Sequence, residues 1–341
     1  MSKVTRTSKR KSDHVRINLE EDVRSGLTTG LEDFHFKHVA LPELNFEDID
    51  TQTTFLGKPL ALPLLISSMT GGAADVAPIN RRLAEAAQNT GIAMGVGSQR
   101  AALEDETLSS SFNVRKIAPE ILLFANLGAV QLNYGVTAQD CQRAVDMIEA
   151  DALVLHLNAL QEVLQPEGDQ DFSGLLRKIE TVCERVQQPV IAKEVGWGIS
   201  GEVASKLVDA GIAVIDVAGA GGTSWSQVEM HRAVVKRQAE LAASFIDWGL
   251  PTAQAVQDVR SHLPDVPLIA SGGLKDGLDL AKCLALGADM GGMASQFLRA
   301  AAESADAVSE RIELTARQLQ VAMFVTASAS IQELDRTKLM A

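Results

Sequence analysis

From residue 60 onward the chain alternates short apolar runs with longer segments in which apolar residues recur at helical spacing. A short apolar run bounded by glycine or polar residues is typical of a parallel strand that is buried on both faces. Eight such runs begin near Leu60, Ile92, Ile121, Ala152, Val190, Val214, Leu268 and Met290. Eight strands that alternate with helices predict an α/β fold in which the sheet closes into a (β/α)8 TIM barrel.

The segments between these strands support the same fold class. Helices are predicted over residues 79–89, 138–149, 175–186, 203–210 and 278–286. The alternative is an open doubly wound sheet, but no predicted strand is followed by the GxGxxG pattern that opens a dinucleotide-binding helix. The interval between the sixth and seventh strands is longer than the others, and residues 227–248 predict an inserted amphipathic helix that covers the barrel mouth.

Residues 1–59 precede the barrel, which we assign to residues 60–341. The first 16 residues form a basic arm, with six lysines and arginines against one acid and no apolar periodicity. Two interpretations remain open. The arm is either a solvated, disordered terminus, or a segment in which Arg10 and Lys11 fold over a site and bind an anionic group such as phosphate. Residues 17–59 predict an irregular lead-in, with a short strand or strap near residues 34–38.

Composition restricts the classes of function. The 341 residues are 46% hydrophobic and carry a net charge of −13, which argues against a binder of nucleic acids or anionic membranes. The three cysteines lack metal-ligand spacing, so we expect ordinary buried thiols. No apolar run approaches the length of a membrane span, and the N-terminus lacks the apolar core of a secretory signal. We therefore expect a cytoplasmic protein.

The fourth apolar run leads directly into a cluster of polar side chains. His156 and Asn158 share one face by the two-residue period of a strand, and Gln161 and Glu162 follow in the next loop. Active sites of α/β barrels lie at the carboxyl ends of the strands. The cluster therefore indicates an active site, although on this stretch alone an ordinary polar loop remains an alternative.

The ends of the other strands should converge on the same barrel mouth. They contribute Ser67, Ser68, Met69 and Thr70 after strand one; Ser98, Gln99 and Arg100 after strand two; Asn126, Lys193 and Thr223 at strands three, five and six; and Gly272, Gly273, Leu274, Ala294 and Ser295 after strands seven and eight. A lysine on a barrel strand is costly to bury without an anionic partner, so Lys193 is predicted to be a site residue. Glycine-rich turns after strands seven and eight are typical of the barrel phosphate site. Together these residues indicate a flat, phosphorylated cofactor.

The motifs at the strand ends resemble those of one known family. The chain contains SSMTGG, SQR, HLNALQE, AKEVGWGIS, AGAGGTSW, ASGGL and GMAS in this order. In this set it is similar to the type 2 isopentenyl-diphosphate isomerases, which are FMN-dependent barrels, over almost its whole length. The departures are small: Met290-Gly291 and Ser295 stand where alanine-valine and glycine are more usual in that family.

The resemblance implies a role for each set of residues. FMN would be bound by Ser67, Ser68, Met69, Thr70, Ser98, Asn126, Lys193, Thr223, Gly272, Gly273, Leu274, Ala294 and Ser295. The substrate diphosphate would be held by Arg10, Lys11, Ser98, Gln99, Arg100 and Gln161, with His156, Asn158, Gln161 and Lys193 as catalytic residues. Glu162 would bind Mg²⁺, whose usual ligands are carboxylate, phosphate and water oxygens.

The implied reaction moves a double bond between isopentenyl and dimethylallyl diphosphate. Reduced FMN would act as the acid and base, NADPH would reduce it without being consumed at each turnover, and the enzyme would be a homo-oligomer, a tetramer or an octamer. The alternative is an FMN-dependent oxidoreductase of the 2-hydroxy-acid oxidase or NAD(P)H reductase type. Such oxidases resemble one another in an active-site histidine with a nearby arginine after strand seven, where this chain has Ser271-Gly272-Gly273. A non-catalytic phosphate-binding protein would leave the strand-four cluster unexplained.

Overall fold

A closed barrel of eight parallel strands forms the centre of the computed structural model, which describes residues 6–69, 71 and 76–340. The barrel strands follow one another in chain order, and the last pairs with the first. They are β3 (Leu64–Ile66), β4 (Ala93–Gly95), β5 (Leu123–Gly128), β6 (Ala152–Leu157), β7 (Val190–Glu194), β8 (Val214–Asp216), β9 (Leu268–Ser271) and β10 (Met290–Met293). A separate antiparallel hairpin precedes them, made of β1 (Thr53–Phe55) and β2 (Lys58–Leu60). The predicted barrel class is confirmed.

Helices surround the barrel. They are α1 (Arg6–Glu20), α2 (Ala77–Thr90), α3 (Arg100–Glu104), α4 (Ala138–Ile148), α5 (Ala159–Leu164), α6 (Leu175–Arg185), α7 (Gly201–Asp209), α8 (Trp225–Arg232), α9 (Lys236–Ala243), α10 (Thr252–His262), α11 (Gly277–Ala285), α12 (Ser295–Glu303) and α13 (Ala305–Val325). Among the described residues, no helix is both long and apolar enough to cross a membrane.

The alternation of side chains along each strand divides the core into two parts. Leu65, Phe124, Val154 and Ile191 belong to a small cluster inside the barrel, closed below by Phe55 of the hairpin. The neighbouring positions, such as Leu64 and Leu153, point outward and join the much larger cluster between strands and helices. Because both faces of each strand are buried, the strands appear in the sequence as continuous apolar runs. Their positions could therefore be predicted closely from the sequence.

The N-terminal region is more ordered than the sequence suggested. Residues 6–20 form helix α1, where we found no apolar periodicity. Its anchor is Ile17, which is buried in a small cluster with Val23 and Val228. Near residues 34–38, where we expected a short strand or strap, the structure has an isolated β-bridge between Phe36 and Leu339.

The insertion after the sixth barrel strand also differs from the expectation of one helix. Two short helices, α8 and α9, occupy this interval, and the chain is extended between them at Ala233 and Val235. Neighbouring β-branched residues, Val234 and Val235, favour such a break because their side chains are restricted in helices. α8 packs against α1 and α5, and Trp225 at its start lines the cavity. That residues 227–248 cover the barrel mouth stays a prediction.

Two arginines fasten the amino-terminal ends of the strands by the same set of contacts. Arg115 donates hydrogen bonds to the carbonyl oxygens of Ile121 and Glu149 and to Asp151, whose carboxylate also accepts from the Leu123 N–H at 2.8 Å. This arrangement, the first arginine clamp, joins the starts of β5 and β6. Each buried carbonyl and carboxylate oxygen in it has a charged donor, which stabilises the lower end of the barrel.

The second arginine clamp joins the starts of β9 and β10. Arg260 donates to the carbonyl oxygens of Val266 and Gly287 and to Asp289, and Asp289 accepts from the Leu268 N–H at 2.8 Å. Arg115 precedes the start of β5 by the same number of residues as Arg260 precedes the start of β9. The clamps and the cavity described next lie at opposite ends of the strands.

Candidate active site

A single mouth at the carboxyl ends of the strands brings together almost all the residues predicted for the site. Its lining includes Arg10, Lys11, Ser67, Ser68, Met69, Ser98, Arg100, Asn126, His156, Asn158, Gln161, Glu162, Lys193, Thr223, Gly272, Gly273, Leu274, Ala294 and Ser295. Thr70 lies outside the described residues. This convergence follows from the parallel barrel, in which every strand ends on the same side.

Gln99 is the one described residue of the predicted set that does not line the cavity, and its assignment needs correction. Its side chain is fully buried behind the sheet. The amide nitrogen donates to the Ala144 carbonyl at 2.8 Å, and the amide oxygen accepts from the Asn126 N–H at 3.0 Å. Gln99 directly precedes α3, and the start of this helix turns its side chain toward α4. It holds Asn126 in place and has no free group for a substrate.

The glycine-rich side of the cavity fits a close approach of backbone to a ligand. Gly272 and Gly273 have φ values of 102° and 80°, in the region that favours glycine. A Cβ on Gly222 would lie 2.6 Å from the Gly273 nitrogen, so these two turns pack against each other without side chains. The start of α12 at Ser295 lies beside them on the cavity wall. Exposed N–H groups and a helix N-terminus are suited to a phosphate group.

The floor beside the glycines has a polar atom that lacks a partner. The Ser67 hydroxyl is buried, and no described residue forms a hydrogen bond with it. A Cβ on Gly292 would lie 2.5 Å from this hydroxyl, so no larger residue could stand there. Buried polar groups are normally paired. A flat polar ring above this floor would satisfy the hydroxyl, and the residues present therefore fit FMN.

Three neighbouring strands place polar side chains side by side under the cavity. His156 on β6 is the register partner of Lys193 on β7, and Lys193 is the partner of Asp216 on β8. His156 Nδ1 lies 2.8 Å from Asn126 Oδ1. Burial, together with the positive charges of Lys193, Lys11 and Arg10, lowers the pKa of His156 to about 3. The imidazole is therefore neutral at physiological pH, and it serves as a hydrogen-bonding group.

The loop after β6 holds the predicted metal ligand in a network of donors. Glu162 accepts from Asn158 Nδ2 at 2.8 Å, from Gln165 Nε2 at 2.5 Å and from the Asp169 N–H at 2.8 Å. A carboxylate has about four acceptor positions, so one remains for a cation. The described residues contain no group of three His, Cys, Asp or Glu side chains that could hold a metal. Mg²⁺ at Glu162 would therefore take its other ligands from phosphate and water.

Positive side chains are concentrated at the outer part of the cavity. Lys11 donates to the Ser98 carbonyl and lies 5.2 Å from the centre of the Phe112 ring. Burial and the neighbouring Arg10 lower the pKa of Lys11 to about 7. Arg100 pairs with Glu104 at 2.8 Å and with Asp169 at 2.7 Å. Their concentration on a protein of net charge −13 indicates a site for an anionic ligand.

The sequence did not reveal Glu229, a carboxylate on α8 that is 2% exposed. It accepts from His14 Nε2 at 3.1 Å, from Gln161 Nε2 at 3.3 Å and from Arg232 Nη1 at 2.5 Å. Burial raises its pKa, but the hydrogen bond and charge of His14 and the charge of Arg232 outweigh burial and leave the pKa below its usual value. Asn158 Nδ2 donates to Gln161 Oε1 at 3.2 Å, so both ends of the Gln161 amide are fixed.

The fold and the site together define an FMN-dependent barrel. The sequence profile of the FMN-dependent dehydrogenase family matches residues 131–341, and the chain belongs to this family. Similar solved structures show the same fold: a flavocytochrome b2 variant with sulfite bound, at a TM-score of 0.71 and 17% identity over 96% of this chain and 82% of that one, and a mandelate oxidase variant, at 0.68 and 19% over 98% of each.

Within this class, the chain belongs to the isopentenyl-diphosphate delta-isomerase family. It is 54% identical over 329 residues to an isopentenyl-diphosphate delta-isomerase from Nostoc sp., covering 96% of this chain and 94% of the relative. It is 52% identical to one from Rickettsia africae, covering 97% and 96%. The resemblance identified from the strand-end motifs is confirmed.

Proposed function

We propose that the protein interconverts isopentenyl and dimethylallyl diphosphate, with reduced FMN and Mg²⁺. The observation that carries this proposal is the strand-four cluster of His156, Asn158, Gln161 and Glu162, which lines the same cavity as the glycine-rich turns and the basic side chains of Arg10, Lys11 and Arg100. A polar ring cofactor, a proton-handling group and a diphosphate each find complementary residues in this one cavity. Membership in the isomerase family supports the same conclusion.

In this proposal the cofactor is bound by the glycine-rich side of the cavity and the floor beside it. Reduced FMN supplies an electron-rich ring that serves as acid and base and that stabilises positive charge on the substrate. Ser67, Ser68 and Met69 would hold the ring, and the ammonium group of Lys193 would stabilise negative charge on it. The turns at Gly272 and Gly273 and the start of α12 bind the phosphate.

The outer part of the cavity holds the substrate. Arg10, Lys11 and Arg100 would bind the diphosphate, and Glu162 would supply a carboxylate ligand to Mg²⁺, whose other ligands would come from phosphate and water. Gln161 lines the cavity, and its contacts with Asn158 and Glu229 fix the orientation of its amide. The neutral imidazole of His156 donates or accepts a hydrogen bond without adding charge beside the developing cation.

The second candidate is an FMN-dependent oxidoreductase, which the profile match to the dehydrogenase family favours. In this reading NADPH would be consumed with each product. The glycine pair after β9 has no histidine at the position where such oxidases carry one, and the amides of Asn158 and Gln161 and the carboxylate of Glu162 have no role in that chemistry.

One measurement separates the two reactions. The protein is mixed anaerobically with FMN, Mg²⁺, isopentenyl diphosphate and a small amount of NADPH, and dimethylallyl diphosphate is compared with NADPH oxidised. We expect many product molecules per NADPH. One NADPH consumed per product, or no allylic product while the flavin is reduced, would contradict the isomerase and favour the oxidoreductase with a different substrate.

We also propose that the enzyme acts as a homo-oligomer, a tetramer or an octamer. Val234, Val235 and Trp248 on the inserted segment are 99%, 64% and 59% exposed. Exposed apolar side chains on an inserted segment favour contact with another chain. Sedimentation of the FMN-loaded protein at several concentrations tests this, and a monomer at all of them would contradict it.

A further inference from the structure

Behind the cavity floor, Lys193 has a buried acidic neighbour whose role the proposed reaction does not yet include. Lys193 on β7 and Asp216 on β8 are register partners, so both side chains enter the barrel at the same level. Ser271 stands on the next strand, two residues beyond Ile269, the partner of Asp216. The three side chains therefore form a row across adjacent strands.

The contacts within this row link the ammonium group to the carboxylate. Lys193 Nζ lies 3.5 Å from Asp216 Oδ2 and 3.5 Å from Ser271 Oγ, and it donates to the Glu194 carbonyl at 2.8 Å. Ser271 Oγ donates to Asp216 Oδ1 at 2.5 Å. Asp216 is 1% exposed, and Lys193 is 8% exposed. The carboxylate is held from two sides in a dry environment, where charges act strongly on each other.

Both ends of the row face the cavity, and the middle residue does not. Lys193 and Ser271 line the cavity, whereas Asp216 lies behind them. The neighbouring Glu194 does not compete as a counter-ion, because its carboxylate accepts from the N–H groups of Val195, Gly196 and Trp197. Asp216 is thus the carboxylate that is paired with the Lys193 ammonium group among the described residues.

We propose that Asp216 is a positioning residue that offsets part of the Lys193 charge and thereby sets the reduction potential and the basicity of the bound flavin. The inference rests on the proposed function, which places the flavin ring above Lys193. An unopposed ammonium group would stabilise the reduced anionic ring and make it a poor base. With Asp216 behind it, the ring stays more basic, which suits acid and base chemistry better than it suits the acceptance of electrons.

The burial of Asp216 agrees with this role. Burial raises the pKa of this carboxyl, and the Lys193 charge and the Ser271 hydroxyl oppose the rise. The carboxylate therefore depends on Lys193 for its ionised form. If Lys193 lost its charge, Asp216 would take up a proton, because an unpaired buried anion is far more costly than a neutral acid.

The test compares the wild-type protein with Asp216→Asn, each loaded with FMN. Sulfite, which forms a reversible anionic complex with oxidised flavins, serves as the probe of positive charge at the ring. We expect Asp216→Asn to bind sulfite about tenfold more tightly. The two-electron midpoint potential should rise by about 30 mV, which is the equivalent of a tenfold change. Turnover should fall with KM unchanged, since the diphosphate contacts are untouched.

Control variants separate this effect from a general disturbance. Asp289→Asn makes the same change at the other end of the barrel, where Asp289 pairs with Arg260, and it should leave both quantities unchanged. Lys193→Gln should weaken sulfite binding and lower the potential. Adding Asp216→Asn to Lys193→Gln should produce no further shift, because Asp216 is then already neutral. A purely structural role of Asp216 would not predict that Asp216→Asn loses its effect on the potential when Lys193 is replaced.

The outcomes are distinguishable. The inference is overturned if Asp216→Asn leaves the potential unchanged or lower while Lys193→Gln lowers it; the flavin placement then stands. If Lys193→Gln also has no effect, the flavin is not above Lys193, and the placement fails together with the inference. Should Asp216→Asn not bind FMN, Ser271→Ala, which removes the hydrogen bond to Asp216, replaces it. A smaller rise in potential is then expected, and no rise would overturn the inference.

Discussion

At the scale of single residues, His156 shows how a partly buried neutral group contributes to the pH dependence of stability. Its pKa of about 3 in the folded protein is lower than the ordinary value of 6.5. As the pH falls below 6.5, the unfolded chain binds a proton that the folded protein refuses, so stability is lost. Replacing His156 with glutamine should reduce the slope of unfolding free energy against pH by up to about 1.4 kcal/mol per pH unit between these values.

Urea unfolding of the FMN-loaded wild type and His156→Gln from pH 5 to 8 measures this difference. The two curves should be parallel above pH 7 and should converge as the solution becomes more acidic. Parallel curves over the whole range would mean that His156 titrates alike in the folded and unfolded protein, and that its neutral role in the site is wrong.

Glu162 tests the metal assignment at the same scale. Glu162→Gln keeps the shape but loses the negative charge, so the Mg²⁺ concentration for half-maximal activity should rise about tenfold or more, while FMN binding stays intact. Glu167→Gln is the matched control: it makes the same change in the adjoining loop, where the carboxylate pairs with Arg232. Titrations of activity with Mg²⁺ measure both. An unchanged Mg²⁺ requirement in Glu162→Gln would remove this residue from the metal site.

What the sequence could show about single residues depended on whether their partners were close along the chain. The β6 cluster was visible because its four polar residues follow one another within seven positions. Glu229 was not, because its partners His14 and Gln161 are 215 and 68 residues away. In the sequence, Gln99 lies between two residues that line the cavity. Its side chain points away from the cavity because α3 begins directly after it, which the sequence pattern did not show.

At the scale of elements, strands were easier to predict than the segments that cover the site. Burial on both faces gives a strand an unbroken apolar run, and the eight runs appeared in order. Helix α1 has no such signature, because one residue, Ile17, supplies its fully buried contact with Val23 and Val228. The helix is stabilised by its neighbours rather than by its own pattern.

The position of α1 leads to a prediction for substrate binding. Lys11 has a pKa of about 7, so its charge is lost as the pH rises through neutrality, and the diphosphate should bind more weakly. Arginine keeps its charge. We expect KM to rise several-fold between pH 7 and 9 in the wild type, and this rise should be much smaller in Lys11→Arg.

The measurement is KM for isopentenyl diphosphate across that range, with Lys236→Arg on α9 as the control because its side chain is 90% exposed. Equal profiles for wild type and Lys11→Arg would show that Lys11 does not bind the diphosphate. Deletion of residues 1–11 should raise KM at every pH and leave FMN binding unchanged, which separates the arm from the cofactor site.

At the scale of the whole molecule, the barrel separates stability from chemistry. The arginine clamps lie at the amino ends of the strands, and the cavity lies at the carboxyl ends. Arg115→Met should lower the free energy of unfolding by about 2–3 kcal/mol, since its side chain is mostly buried and its acceptors would be left unpaired. Arg260→Met should cost less, about 1–2 kcal/mol, because Asp289 is half exposed.

Denaturant unfolding measures these losses, and flavin absorbance of the purified variants reports the cavity. Arg143→Met, which removes an exposed pair with Asp140, should change stability by less than about 0.5 kcal/mol. Loss of FMN in either clamp variant under native conditions would mean that the two ends of the barrel are not independent.

The likeness of the two clamps has a further consequence, since they lie four strands apart. Strands β3 to β6 and β7 to β10 are two half-barrels, and each contains its own fastening between its last two strands. A chain interrupted at residues 187–188, between α6 and β7, would leave each fragment with a complete arginine clamp. Co-expressed fragments should therefore reassemble into a protein that binds FMN. The two half-barrels would then be separate units of assembly, although the active site needs residues from both.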